Sequence, residues 1–269
     1  MPAVLGARTG RFGRATYFEI AEPVTEHAHP LVHLLFKAGG GDRRMMVSGT
    51  AFEVTDEQCL LISPWQKHSD LEKQPDDPTL MLVLYIEPDW MAERLGVSGI
   101  GFDAVAAGMT AGMRELVTRL GAVLAGGIEM TDAELEEAIG QLVADASAEH
   151  LIDRRGGLAD YRIRHALKKL REAPHLHIDY TDVARDVGLS RSRFYEQFSS
   201  SVGVAPNMFV DGLVIERAYS MMSQSARPLD EIATSLGFAA QSSFTRFFRD
   251  RVGFPPSILR RQMDRAGSN

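Results

Sequence analysis

The sequence predicts an α+β chain: an N-terminal β-barrel, then amphipathic helices, then an all-α C-terminal domain of two helix-turn-helix subdomains joined by a long helix. Three observations carry that expectation. Residues 15–86 alternate short apolar runs with turn signals. From Pro88 to Leu151 the apolar spacing changes to three and four, the period of a helix face. Near the C-terminus one glycine-phenylalanine pattern is written twice. The expected divisions are 1–90, 91–155 and 156–269.

Taken in order, strands are expected at Ala15–Ala21, Leu31–Ala38, Arg43–Val47, Thr50–Val54, Gln58–Ser63 and Thr79–Ile86. Gly39-Gly40-Gly41-Asp42 and Ser48-Gly49 suit hairpin connections, because tight hairpin turns need residues that accept positive φ. Many short strands at near-even spacing favour a small barrel or jelly roll. Arg8, Arg11 and Arg14 read as a solvated basic tail, with closure over an anionic ligand or contact with the other domain as alternatives.

Pro88–Leu95 reads as a short helix. Asp103–Leu124 then places Met109, Met113, Leu116, Val117, Leu120 and Leu124 on one stripe, which Gly126-Gly127 ends. Thr131 and Glu134 form a capping box that opens a second helix, with Leu135, Ile139, Leu142 and Val143 on one side. These stripes can pack on the barrel, on each other or on a second subunit. Arg154-Arg155-Gly156-Gly157 reads as a flexible junction.

The duplication runs Val183-Ala184…Gly188-Leu189-Ser190…Phe194…Phe198…Gly203…Pro206, then Ile232-Ala233…Gly237-Phe238…Phe244…Phe248…Gly253…Pro256. From phenylalanine to phenylalanine to glycine to proline the spacings are 4, 5 and 3 in both copies. In the first copy Asp179 is placed as an N-cap with Asp182 at N3, Gly188 suits the tight interhelical turn, and Ser190 caps the next helix. In the second copy Pro228 suits the first helical position. The joining helix is expected over Pro206–Met222. With the phenylalanines turned inward, each unit's second helix presents Arg, Gln, Ser and Thr outward, side chains whose donors and acceptors match base edges and phosphates.

Charge is divided accordingly. From Asp160 onward there are 16 Lys+Arg and 12 Asp+Glu, a net of +4, whereas the first 159 residues carry −11. A basic tail on an acidic partner domain suits a DNA-binding unit. The single cysteine, Cys59, excludes an intrachain disulfide and sits in an apolar run as an inert thiol. The longest apolar run, Leu80–Ile86, is too short to span a bilayer, and no signal peptide is visible, so a cytoplasmic protein with no membrane partner is expected.

Residues from about 160 to 265 resemble the C-terminal DNA-binding domain of the AraC/XylS family of bacterial transcription regulators, most specifically in Gly237-Phe238…Phe244-Thr245-Arg246-Phe247-Phe248…Gly253…Pro255-Pro256…Leu259-Arg260. The resemblance implies a regulator, an activator more than a repressor, and not an enzyme. Its two recognition helices would enter successive major-groove segments of double-stranded promoter DNA, about one helical turn apart. It implies base-facing positions at Ser192, Arg193 and Glu196 in the first unit, and at Gln241, Ser242, Thr245 and Arg246 in the second. Glu196 departs from the usual basic or small residue; it either accepts from a cytosine amino group or pairs with Arg193. RNA polymerase, a small-molecule effector and a homodimeric state are further implications.

The stretch Glu26-His27-Ala28-His29-Pro30-Leu31-Val32-His33, with Ser63-Pro64-Trp65-Gln66-Lys67-His68 downstream, resembles a cupin, the usual effector-binding or dimerisation domain of that family. His27, His29 and His33 share strand parity, and His68 would return beside them. Three readings stand. His29, His33, Trp65 and His68 line an effector pocket in the barrel mouth, with no cofactor; or His27, His29, His33 and His68 hold a divalent transition metal; or they are ordinary surface or core histidines. The second would also suit a metal-dependent cupin enzyme with a regulatory tail. A regulator without a ligand, controlled by a partner protein, is the further alternative.

Overall fold

In the computed structural model, which describes residues 3–20, 23–71, 78–153, 160–172, 174–224 and 227–266, the chain opens on an antiparallel hairpin. Its strands are β1 (Ala3–Gly10) and β2 (Gly13–Ile20). Gly13 turns it at φ +112°, where an added Cβ would stand 2.2 Å from the Tyr85 carbonyl oxygen. The solvated-tail reading fails for Arg14, which lies on β2 and is buried, while Arg8 lies on β1 and Arg11 stays exposed at the turn.

There follow β3 (Val32–Gly40), β4 (Arg43–Val47), β5 (Thr50–Val54), β6 (Gln58–Ile62), β7 (His68–Asp70) and β8 (Thr79–Ile86). The expected strands are all present within two residues at each described end. After α1 (Pro88–Leu95) come β9 (Ile100–Phe102), β10 (Ala106–Gly108), α2 (Ala111–Leu124), α3 (Asp132–Ser147) and β11 (Leu151–Asp153). A six-stranded sheet runs β1-β2-β8-β3-β6-β10, and a three-stranded sheet runs β5-β4-β7.

Strict alternation sorts the side chains of β8 into two layers. Met81, Val83 and Tyr85 join Met45, Val47 and Val54 of the smaller sheet, whereas Leu82, Leu84 and Ile86 face the helices. The stripes of α2 and α3 are spent on that second face, with Met113, Val117, Leu120, Ile139, Leu142 and Val143 at most 1% exposed. The expected helix from Asp103 begins only at Ala111, because Thr110 is the residue that caps it, accepting from Met113 N. Ala106–Gly108 instead satisfies the open backbone edge of β6.

The C-terminal part is helical: α4 (Tyr161–Glu172), α5 (Tyr180–Asp186), α6 (Arg191–Val202), α7 (Pro206–Gln224), α8 (Leu229–Ser235), α9 (Gln241–Val252) and α10 (Pro256–Ala266). Asp179 and Ser190 cap as expected, and Gly188 and Gly237 take φ +70° and +89° in the two interhelical turns. Pro228 is the N-cap of α8 rather than its first helical residue, so the helix begins one residue later than expected. Phe194, Phe198, Phe244 and Phe248 are fully buried, each stabilising the domain by about 2–3 kcal/mol. The Arg154-Arg155-Gly156-Gly157 junction lies outside the described residues. No single helix among the described residues is long and apolar enough to cross a membrane.

Candidate DNA interface and the junction behind it

Inward phenylalanines fix what α6 and α9 show outside. Ser192, Arg193 and Glu196 are exposed on α6, as are Gln241, Ser242 and Arg246 on α9, with Thr245 half-buried beside them. Among the described residues, neither front is packed against the rest of the chain. Gln241, Ser242, Thr245 and Arg246 line one open depression together with Arg249, a residue that sequence reasoning passed over although it follows Thr245 by one helical turn. Among the described residues Arg193 and Glu196 form no ion pair, so the carboxylate faces outward with the rest of the front. Chemically, the two fronts offer guanidinium, amide and hydroxyl groups on helices narrow enough for a major groove.

Behind these fronts the two parts of the chain share one core. Trp65, held at φ +63°, stacks on Phe209 of α7 with ring centroids 4.1 Å apart, and Phe18 of β2 meets Phe254 edge-on at 5.6 Å. Gly212 of α7 lets the chain pass so closely that an added Cβ would stand 2.3 Å from the Ala28 carbonyl oxygen. Thr25 N and Oγ1 both donate to Asp250 O near the end of α9, each at 2.8 Å.

Arg14 is the polar centre of this junction. Its guanidinium donates to both carboxylate oxygens of Glu216 on α7, at 2.6 and 3.0 Å, and lies 4.0 and 3.7 Å from the ring centres of Tyr85 and Tyr219. Burial works against its charge, but the Glu216 carboxylate and the two tyrosines outweigh it and raise its pKa. Burial likewise pushes the Tyr85 phenol up to about 12. Arg14 and Glu216 lie 202 residues apart, and no local pattern connects them. Arg14, His29, Tyr85, Gly212 and Glu216 border a crevice with about 10 Å³ of free space, room for roughly one water.

The histidines come together by a different route from the one expected. Residues 23–31 form no strand; His27 reaches His68 through an isolated bridge, while His33 lies on β3 and His68 on β7. His29 Nε2 stands 3.3 Å from His33 Nδ1, which stands 3.2 Å from His68 Nε2. Of the expected pocket residues, only His29 borders the crevice; His33 and His68 are buried in the same cluster, and Trp65 has turned into the contact with Phe209. Burial lowers all four pKa values, His27 to about 4 and His68 to about 3, so the rings are neutral at pH 7. Neutral imidazoles on three converging segments suit a transition-metal ion as a donor set. Cys59 is buried with its thiol pushed up to about 12, which fits the inert reading.

Residues 183–262 match the model of a helix-turn-helix domain. The C-terminal domain is similar to those of AraC-type regulators, among them a putative AraC-like transcription regulator of Streptomyces lividans, 30% identical over 105 residues, 39% of this chain and 34% of that protein. ExsA of Pseudomonas aeruginosa, an HTH-type transcriptional regulator, is 34% identical over 84 residues, 31% of this chain and 30% of ExsA. The transcriptional activator RhaS of Escherichia fergusonii is 26% identical over 152 residues, 56% of this chain and 54% of RhaS. The chain thus spans about a third to a half of the length of these AraC-type relatives. Over nearly the whole chain the fold is that of ToxT from Vibrio cholerae: an apo crystal structure superposes with a TM-score of 0.60 at 11% identity, covering 94% of this chain and 98% of ToxT. A second ToxT structure, with an unsaturated fatty acid bound, has a TM-score of 0.57 at 13% identity, covering 91% and 94%.

Proposed function

We propose that the chain is a sequence-specific, DNA-binding transcription regulator of the activator type, with a β-domain that receives a small molecule. The observation that carries this reading is the pair of exposed polar fronts on α6 and α9, each backed by buried phenylalanines and joined by α7. Ser192, Arg193 and Glu196 read one major-groove segment; Gln241, Ser242, Thr245 and Arg246 read the next, about one helical turn away. The units divide at 1–90, 91–155 and 156–269, although α2 and α3 of the middle segment belong by packing to the β-domain. RNA polymerase contact and a homodimer enter through family resemblance. With both apolar stripes already buried inside the chain, a second copy has to use other surface. The site of action is the cytoplasm, where promoter DNA is.

Effector response follows from the junction. A molecule that enters beside Arg14 must separate it from Glu216 and so change how α7 is held, shifting a balance between docked and released recognition units. ToxT binds a fatty acid; the buried guanidinium here makes an anionic effector the matching class. Selection of binding sequences from a random duplex pool by the full chain tests the reading. A selected sequence bound at least 1000-fold more tightly than bulk DNA supports it. Failure to enrich any sequence, from folded protein at low and moderate salt, overturns it.

A further inference from the structure

We propose that the Asp211–Arg251 ion pair, with the Leu176–Leu236 hydrogen bond, braces the two recognition units into one rigid body, so that this chain binds tightly only where two half-sites stand at one spacing. The proposal rests on the DNA-binding reading above, and its residues are positioning residues that do not touch DNA. The need for a brace comes from α7. Near its start Phe209 meets Phe198 of α6, and ten residues later Tyr219 meets Phe248 of α9, each at 5.3 Å between ring centres. At 1.5 Å per residue those anchors stand about 15 Å apart along the helix. Apolar contact is non-directional, so such anchors fix how far apart the units lie better than how they are tilted.

Directional bonds supply the tilt, and they hold α9 near both ends. Ahead of α9, Leu176 N in the loop between α4 and α5 donates to Leu236 O at 3.2 Å. The approach is close: a Cβ added at Gly237 would stand 3.2 Å from His177 Cδ2 and 3.3 Å from Leu176 N. At the far end, Arg251 Nη2 donates to Asp211 Oδ2 at 2.6 Å, across 40 residues of chain. Both side chains are 24% exposed, and the guanidinium also lies 4.0 Å from the Phe247 ring centre, which narrows its choice of rotamer. Asp211 is two residues from Phe209, on the part of α7 that the first unit holds. The pair therefore reaches past the Tyr219–Phe248 anchor and ties the last turn of α9 to the first unit. Held at the turn before it and at its own last turn, α9 cannot swing without breaking one of two polar contacts.

DNA turns this stiffness into specificity. One inserted base pair moves the second half-site by about 3.4 Å and rotates it by about 35°. Hydrogen bonds to base edges fail under a shift of that size. A rigid pair of fronts keeps one half-site and loses the other, whereas a loosened pair follows the displaced one.

The test compares binding of the full chain to a duplex selected by wild type with binding to the same duplex carrying one base pair inserted or removed between the half-sites, read by fluorescence anisotropy competition. Wild type should lose at least about 100-fold on either altered duplex, which is the loss of one front's base contacts. Asp211→Asn and Arg251→Gln should each shrink that spacing penalty at least about 10-fold, and Asp211→Arg combined with Arg251→Asp should restore it. A residue that only stabilised the fold would lower affinity on all three duplexes alike and leave the penalty as it was. The brace is overturned by wild type that selects a sequence yet loses under about 10-fold on both altered duplexes, a result that needs no variant to fold. It is equally overturned by folded single variants that keep the full penalty, or by a charge swap that leaves it relaxed. Wild type that selects no sequence at all would instead overturn the DNA-binding reading on which the brace rests.

Discussion

Replacing Arg14 and Glu216 singly and together measures how strongly the β-domain holds α7. Both side chains are largely buried, 8% and 19% exposed, and the guanidinium engages both carboxylate oxygens. Removing one member of such a pair leaves an uncompensated charge, at a cost of about 3–5 kcal/mol. Glu216→Gln should lie at the lower end, near 3 kcal/mol, because the contacts of Arg14 with the Tyr85 and Tyr219 rings survive. Arg14→Met loses those contacts as well, each on the order of 1–2 kcal/mol when desolvated, and should approach 5 kcal/mol. The double variant removes both charges and should cost less than the sum, giving a coupling of roughly 2–3 kcal/mol. Urea unfolding of the full chain supplies the four values, and Trp65, stacked on Phe209, makes fluorescence sensitive to this junction. A coupling under about 0.5 kcal/mol, the range of exposed pairs, would refute the reasoning.

Gly212→Ala pits helix propensity against fit. An alanine inside α7 should add up to about 1 kcal/mol, but its methyl group meets the Ala28 carbonyl, and overpacking of that kind costs about 1–3 kcal/mol. Net destabilisation with faster hydrogen exchange in residues 24–29 is expected; a simple gain in melting temperature would contradict the close approach. Stability should fall with acid. His68 and His27 have folded-state pKa values near 3 and 4 against about 6.5 unfolded, so between pH 6.5 and those values the unfolded chain binds protons that the folded chain refuses. Above pH 6.5 the contribution is complete; His68 alone should withdraw about 1.4 kcal/mol per pH unit below it. Thermal melts from pH 7 to pH 4.5 check this, and a profile no flatter in His68→Gln would count against the assignment. Arg246→Ala should lose about 1–3 kcal/mol of specific binding and relax the preference at one base pair, read by competition with single-site variants of a selected sequence. Equal weakening on every sequence would make Arg246 a phosphate contact instead.

What could be read from the sequence follows the range of the interactions involved. Asp179, Ser190 and Thr131 cap residues within three positions, and the glycine turns at 188 and 237 are equally local, so the helix-turn-helix units were legible nearly residue by residue. The recognition fronts follow directly from which face the phenylalanines occupy. Strands β9, β10 and β11 are three residues each and exist because another strand's edge is open to them, a condition no local window contains. Arg14 resembled a tail residue because its partner is on α7. The histidine rings lie side by side, but not through strand parity. Shared strand parity was expected, whereas Pro30 precedes the strand and three separate segments supply the rings.

Hydroxyl-radical footprinting of the full chain on a selected duplex measures the paired-front arrangement itself. Two protected segments on one face of the duplex, about one helical turn apart, are predicted, with Arg193→Ala weakening one and Arg246→Ala the other. A single protected segment, or two variants that erase the same one, would show that α6 and α9 do not read DNA together.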